Sequence, residues 1–156
     1  FVAQNLGARQ GERARKGLWT AQLMTFLCTA VLSVLIVVFA PSVVTFFNGE
    51  PEVVRYGTLF LRWMTPFYVL CGFNQVFSGA LRGAGNSRAP MIIMLCSFVA
   101  FRQVYLFIMS RVCNQILPIA LGYPAGWLLC SALIFIYYCR VGLNSRTGLA
   151  SKRTIA

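Results

Sequence analysis

Histidine is absent from this chain of 156 residues, and its only carboxylate side chains are Glu12, Glu50 and Glu52. The first absence removes the commonest metal ligand and the commonest general base. The second leaves nothing from which to assemble an acid–base pair or a nucleophilic triad, so no enzyme, cofactor or metal site is expected. Cys-x-x-Cys pairs are missing too: Cys28, Cys71, Cys96, Cys113, Cys130 and Cys139 stand apart, within or beside apolar runs. They read as small, soft packing residues, not as a disulfide frame or a zinc site. Neither an initiator Met nor a signal-peptide pattern opens the chain at Phe1, and the sequence reads as a fragment.

Apolar residues, by contrast, are abundant. They make up 58% of the chain, with a mean hydropathy of +0.71, against about half in an ordinary soluble domain. Fourteen bases against three acids give a net charge of +11. In a soluble protein that balance would point to nucleic acid. Here the bases fall in short clusters between uncharged runs, the pattern of cytoplasmic loops in a membrane protein. The lipid bilayer is the expected partner, and nucleic acid is not.

The runs predict an all-α, polytopic membrane protein with four transmembrane helices, over about residues 18–40, 56–81, 91–110 and 123–140. About 20 apolar residues rising 1.5 Å each cross a hydrocarbon core of roughly 30 Å. Residues 1–17 are expected to form a cytoplasmic loop and residues 141–156 a basic cytoplasmic tail. Pro41 should stop the first span, with Asn48-Gly49-Glu50-Pro51-Glu52 supplying the turn beyond it. Pro66 cannot donate to the carbonyl of Arg62, so the second span should kink there. Residues 111–122 lead into the last span, whose Tyr137 and Tyr138 suit an interfacial belt. Charge alternates accordingly. Arg9, Glu12, Arg13, Arg15 and Lys16 sum to +3, Arg82 and Arg88 to +2, and Arg140, Arg146, Lys152 and Arg153 to +4. The two opposite loops carry −1 (Glu50, Glu52, Arg55) and +1 (Arg111). Both ends are therefore expected in the cytoplasm.

Residues 78–90 (SGALRGAGNSRAP) reverse the chain between the second and third spans. Gly83 and Gly85 permit the positive φ of a tight reversal, and Pro90 suits the first turn of the next helix. A phosphate-binding loop is excluded, because the Gly-Lys-Ser/Thr ending and the preceding strand are both missing.

Gln4, Asn5, Gly7 and Ala8 stand in a Gln-Asn-x-Gly-Ala string, and Arg82, Gly83, Gly85, Arg88 and Pro90 in an Arg-Gly-x-Gly-type loop. Together, with room for two helices between them, they resemble the intracellular loops of MATE (multidrug and toxic compound extrusion) transporters. The resemblance implies the third to sixth helices of one six-helix half, the carboxy-terminal half of a two-lobed transporter. It implies a secondary active antiporter of the bacterial cytoplasmic membrane that exchanges small cationic or amphipathic organic compounds for H⁺ or Na⁺. The missing amino-terminal helices would be partners. Two alternatives stand beside this one: a lipid-linked oligosaccharide flippase of the same superfamily, and a truncated membrane protein that does not transport. Family members couple transport through intramembrane carboxylates, and none of the three here falls in a predicted span.

Polar residues inside the predicted spans are the candidates for the translocation path. Arg102, near the middle of the third span, costs at least about 2.5 kcal/mol at bilayer depth and needs a partner. A carboxylate of the missing helices, backbone carbonyls and a solute in a cavity all stand open. Tyr105 shares its helix face, as a second ligand or as packing bulk. Asn74 and Gln75, late in the second span, contact solute or hold helices together. Arg62 lies a couple of turns from the outer end, where its stem can snorkel to the interface as an anchor, or it lines the path. Gly79-x-x-x-Gly83 and Gly122-x-x-x-Gly126 have the spacing for close helix approach, although each overlaps a predicted turn.

Overall fold

The computed structural model describes residues 1–112 and 120–143. Every regular element among them is helical. Of the connection predicted over 111–122, residues 113–119, with Cys113, lie outside the described residues, as does the basic tail beyond Leu143, while Arg111 and Val112 still belong to a helix.

The elements are α1 (Val2–Gly7), α2 (Gly11–Phe47), α3 (Pro51–Met64), α4 (Tyr68–Gly83), α5 (Arg88–Leu95), α6 (Phe101–Val112) and α7 (Gly122–Val141). A 3₁₀ turn, Thr65–Phe67, joins α3 to α4, and a π-helical turn, Cys96–Ala100, joins α5 to α6. Among the described residues three helical runs are long and apolar enough to cross a membrane: Gly11–Phe47, Arg88–Val112 and Gly122–Val141. The predicted count of four is corrected to three. The second predicted span is present as a path, but not as one helix. Pro66 has no N–H to continue the ladder, so the chain tightens into the 3₁₀ turn and splits the run into α3 and α4.

Pro41, expected as a stop, lies inside α2. A membrane helix tolerates proline when neighbouring groups satisfy the backbone that proline frees, and Arg62 of α3 supplies a donor there. Residues 1–17 are largely helical as well. Asn5 Nδ2 donates to the Phe1 carbonyl at 2.8 Å and Gln10 N–H to the Asn5 carbonyl at 2.8 Å, closing α1 into a turn at which Arg9 takes a φ of 58°. Ala14 and Leu18, four apart and buried, already give the basic start of α2 an inward stripe.

Between α4 and α5 only Gly85 takes a positive φ, of 82°. Gly83 is the last residue of α4, and its smallness serves a different end: a Cβ there would stand 3.2 Å from Val2 Cβ and 3.4 Å from Ala3 N. The α1 backbone docks on that gap. Asn86 Nδ2 then donates to Tyr137 Oη, tying the turn to the end of α7.

The tightest core lies at this basic end, where Leu18, Phe77, Leu81, Cys130, Ile134 and Tyr138 are buried together. Phe77 stacks on Phe73 at 4.3 Å between ring centroids, and meets Trp19 and Tyr138 edge-on at 5.7 and 5.0 Å. Tyr138 is thus a core residue, 8% exposed, and not part of an interfacial belt. Its ring closes the gap between α4 and α7. Toward the other end the long outward face of α2 carries exposed Leu23, Val31, Val34 and Phe39, a surface suited to lipid.

Candidate functional site

The 20 residues of α7 measure about 30 Å, the thickness of a hydrocarbon core. Its contacts therefore give a depth scale. Tyr137 sits at the basic end beside Asn86, while Tyr105 packs on Gly122 at the other, where an added Cβ would lie 2.8 Å from Tyr105 Cδ1. Arg102 stands at that second end, its guanidinium carbon 3.7 Å from the centroid of the Tyr123 ring. It lies level with the start of α7, and α6 continues past that level to Val112. Among the described residues the face of that aromatic ring is a partner for the guanidinium. Tyr123 in turn neighbours Trp127 at 6.3 Å, and Trp127 neighbours Tyr68 of α4 at 5.5 Å. Tyr105 lies 6.2 Å from Phe101 on its own helix.

Asn74 and Gln75 part company. Asn74 is fully buried between α4 and α7, with Nδ2 donating to the Trp127 carbonyl at 3.1 Å and Oδ1 2.9 Å from Ser131 Oγ. Gln75 is exposed on another face of α4. Ser131, which carried no signal in the sequence beyond being a small polar residue in an apolar run, completes the seam.

Arg62 is exposed and donates from Nε to the Val37 carbonyl at 3.4 Å. That carbonyl is the one whose helical partner would have been the N–H of residue 41, and residue 41 is proline. One turn away Ser33 Oγ donates to the Thr65 carbonyl at 3.3 Å, and Thr65 Oγ1 to the Leu61 carbonyl at 2.6 Å. Pro41 and Arg62 are visible in the sequence separately. Their pairing depends on the register of α2 against α3, which no local pattern contains.

The glycine pairs also resolve differently. Gly126 lets α7 approach the π-helical turn, since a Cβ there would lie 3.1 Å from the Ser97 carbonyl oxygen. Gly83 serves α1, while Gly79 has open space around it and lines a groove of about 670 Å³ between α1, α2 and α4. That groove is floored by Leu18, Met24, Val76 and Ala80, with Arg13 and Lys16 at its basic end. Among loop-motif residues, Asn5 is buried, Gln4, Gly7 and Ala8 are exposed, and Arg82 and Arg88 are exposed at the same end as the groove. Pro90 is buried in the first turn of α5. Among the described residues no group of three or more His, Cys, Asp or Glu side chains could hold a metal ion.

Comparison with known proteins agrees with this architecture. The MatE family profile matches residues 1–108. The probable multidrug resistance protein YpnP of Bacillus subtilis (strain 168) is 32% identical over 138 residues, covering 88% of this chain and 31% of that protein. The probable multidrug resistance protein YoeA of the same organism is 27% identical over 139 residues, 88% of this chain and 30% of its own length. A FAD transporter of Shewanella oneidensis is 26% identical over 99 residues, 64% of this chain and 22% of the transporter. The chain thus spans about a third or less of the length of the curated relatives it matches.

Proposed function

Because the chain belongs to the MATE family, we propose that it forms part of a secondary active efflux antiporter, exchanging small cationic or amphipathic organic compounds for H⁺ or Na⁺. Its helices make one portion of the carboxy-terminal half, and the amino-terminal helices of the same transporter supply the other wall of the path. The basic end, with Arg13, Lys16, Arg82, Arg88 and Arg140, faces the cytoplasm of a bacterial cell across its inner membrane. No cofactor takes part beyond the coupling ion.

The observation that carries this reading is the meeting of the two loop motifs. Gly83 of the second lies against Val2 and Ala3 at the head of the first, at one end of helices long enough to cross a bilayer. Docked there, α1 couples the ends of α2 and α4, which is what a rigid helix bundle rocking as a body requires. The test is dye efflux from cells that lack other exporters and express the protein as its gene encodes it. Ethidium efflux that collapses with the proton or sodium gradient supports the reading, and gradient-independent loss of dye overturns it.

A second reading keeps the fold and changes the cargo to an anionic one, such as the pyrophosphate of a lipid-linked oligosaccharide. Arg102, with no acid beside it among the described residues, favours this, as does similarity to a protein named a FAD transporter. Efflux of an anionic dye in preference to ethidium would select it.

A further inference from the structure

Arg82 and Arg88 flank the turn between α4 and α5, and among the described residues neither makes a hydrogen bond or an ion pair. No acid stands in that turn. The hydroxyl of Ser87, the residue before α5, makes no capping bond to the helix it precedes. Two guanidiniums and a hydroxyl, all on exposed residues, thus keep their donors free of protein partners. Positive charge at this end is what orientation in a membrane requires, and by itself it marks no site.

What sets this turn apart is the groove that starts from it. A recess of about 350 Å³ runs from Arg82 and Ser87 between α4 and α5, and apart from those two and Ser78 its lining is apolar. Its floor is fixed, because Met94 and Phe98 pack on the core and the buried Ser78 Oγ donates to Met94 Sδ at 3.4 Å. Its outer wall is Met91, Leu95 and Val99, each more than half exposed on a run that can cross a membrane, and therefore turned to lipid. Ser87 and Val99 lie twelve positions apart, about 18 Å of helix. One leaflet is half of a hydrocarbon core of roughly 30 Å. The groove accordingly begins at the polar surface and ends near the bilayer midplane, which is the reach of one acyl chain.

We propose that this groove binds an anionic phospholipid from the leaflet at the basic end, with the phosphate on Arg82, Arg88 and Ser87 and one acyl chain along Met91, Leu95 and Val99. Arginine offers a planar fork of donors that meets phosphate oxygens two at a time. Basic recesses between membrane helices suit acidic headgroups. A zwitterionic headgroup would bring its ammonium to two cations with no acid in the turn to receive it, whereas phosphatidylglycerol brings net negative charge and hydroxyls that Ser87 can meet. Free phosphate would use the arginines and leave the apolar groove unfilled, so the occupant is the lipid. The site requires that the helices sit in a bilayer, and it depends on neither the cargo nor the coupling ion.

The experiment is native mass spectrometry of the protein as its gene encodes it, released from nanodiscs holding equal amounts of phosphatidylglycerol and phosphatidylethanolamine with matched chains. The parent should retain phosphatidylglycerol over phosphatidylethanolamine by about fivefold or more. Arg82→Gln combined with Arg88→Gln should bring the ratio near one, while Arg140→Gln, which removes a base at the same end but outside the groove, should leave it unchanged. Leu95→Trp fills the groove from an exposed position without altering charge. It should lower the retained phosphatidylglycerol severalfold, and it serves as the test if the arginine variants do not insert. Excess inorganic phosphate should not displace the lipid. No preference in the parent, an equal loss in Arg140→Gln, or unchanged retention in Leu95→Trp overturns the site. Displacement by inorganic phosphate overturns the lipid as its occupant and leaves only an anion site.

Discussion

Ser131 Oγ lies 2.9 Å from Asn74 Oδ1, across the seam between α7 and α4, and neither residue is more than 9% exposed. The hydroxyl carries one proton and has three acceptors in range, the others being the carbonyls of Trp127 at 2.8 Å and Leu70 at 3.5 Å. Trp127 already accepts from Asn74 Nδ2. The proton is therefore best spent on Asn74 Oδ1, so that both ends of the carboxamide bond to α7. Two residues far apart in sequence thereby fix the register of the last helix on the fourth.

Asn74→Leu and Ser131→Ala are each expected to lower stability by about 1–2 kcal/mol, the scale of polar contacts between membrane helices. The double variant should lose less than the sum, because either single change already breaks the shared bond. Thermal unfolding in detergent reads both. Full additivity would mean that the two side chains act separately.

Gly122 and Gly126 are expected to differ when replaced by Ala. At Gly126 the new methyl meets the Ser97 carbonyl, backbone that cannot step aside, so the π-helical turn must move. About 1–3 kcal/mol is expected, with no rescue by a change elsewhere on α6. At Gly122 the obstacle is the Tyr105 ring. Tyr105→Leu should restore much of what Gly122→Ala loses, and unfolding of the four variants measures the difference.

The long helices, the basic loops and both glycine-bearing motifs were legible in the sequence because each is a local property: an uncharged run, a charge cluster, a string. Pro41 does not end its helix, for a reason that local pattern cannot supply. Whether proline ends a helix depends on who satisfies the carbonyl behind it, and here the donor, Arg62, arrives from another helix. Arg102 meets Tyr123 across two helices, and that pairing depends on the register of α6 against α7, which no local pattern contains. Asn74 reads from the sequence as path or as glue; the bonds of its carboxamide to the Trp127 carbonyl and Ser131 Oγ, both on another helix, are visible only in the packing.

Arg102 over Tyr123 makes a prediction that separates ring from hydroxyl. The guanidinium lies over the ring face, so Tyr123→Phe should leave stability nearly unchanged, whereas Tyr123→Leu should lose about 0.5–2 kcal/mol. Arg102→Ala should lose a similar amount, and the double variant with Tyr123→Leu little more. Efflux adds a second readout. If the cargo is anionic, Arg102→Ala depresses export of an anionic dye more than that of ethidium, and equal depression of both would leave Arg102 a packing residue.

Orientation rests on charge, and it can be tested at two exposed positions on turns at opposite ends of the bundle. Gly49 sits between α2 and α3 next to Glu50 and Glu52, while Ser87 sits between α4 and α5 flanked by Arg82 and Arg88. Basic turns stay in the cytoplasm, because moving Lys or Arg across the membrane during insertion is the disfavoured step and acidic residues weigh little. A membrane-impermeant thiol reagent added to intact cells should therefore label Gly49→Cys and spare Ser87→Cys, in a background without the native cysteines. Permeabilised cells should label both, which controls for a thiol hidden by packing. Labelling of Ser87→Cys alone in intact cells would invert the bundle. The hairpin of α2 and α3 would then face the cytoplasm, and the +11 charge would need an explanation other than the inner face of the membrane.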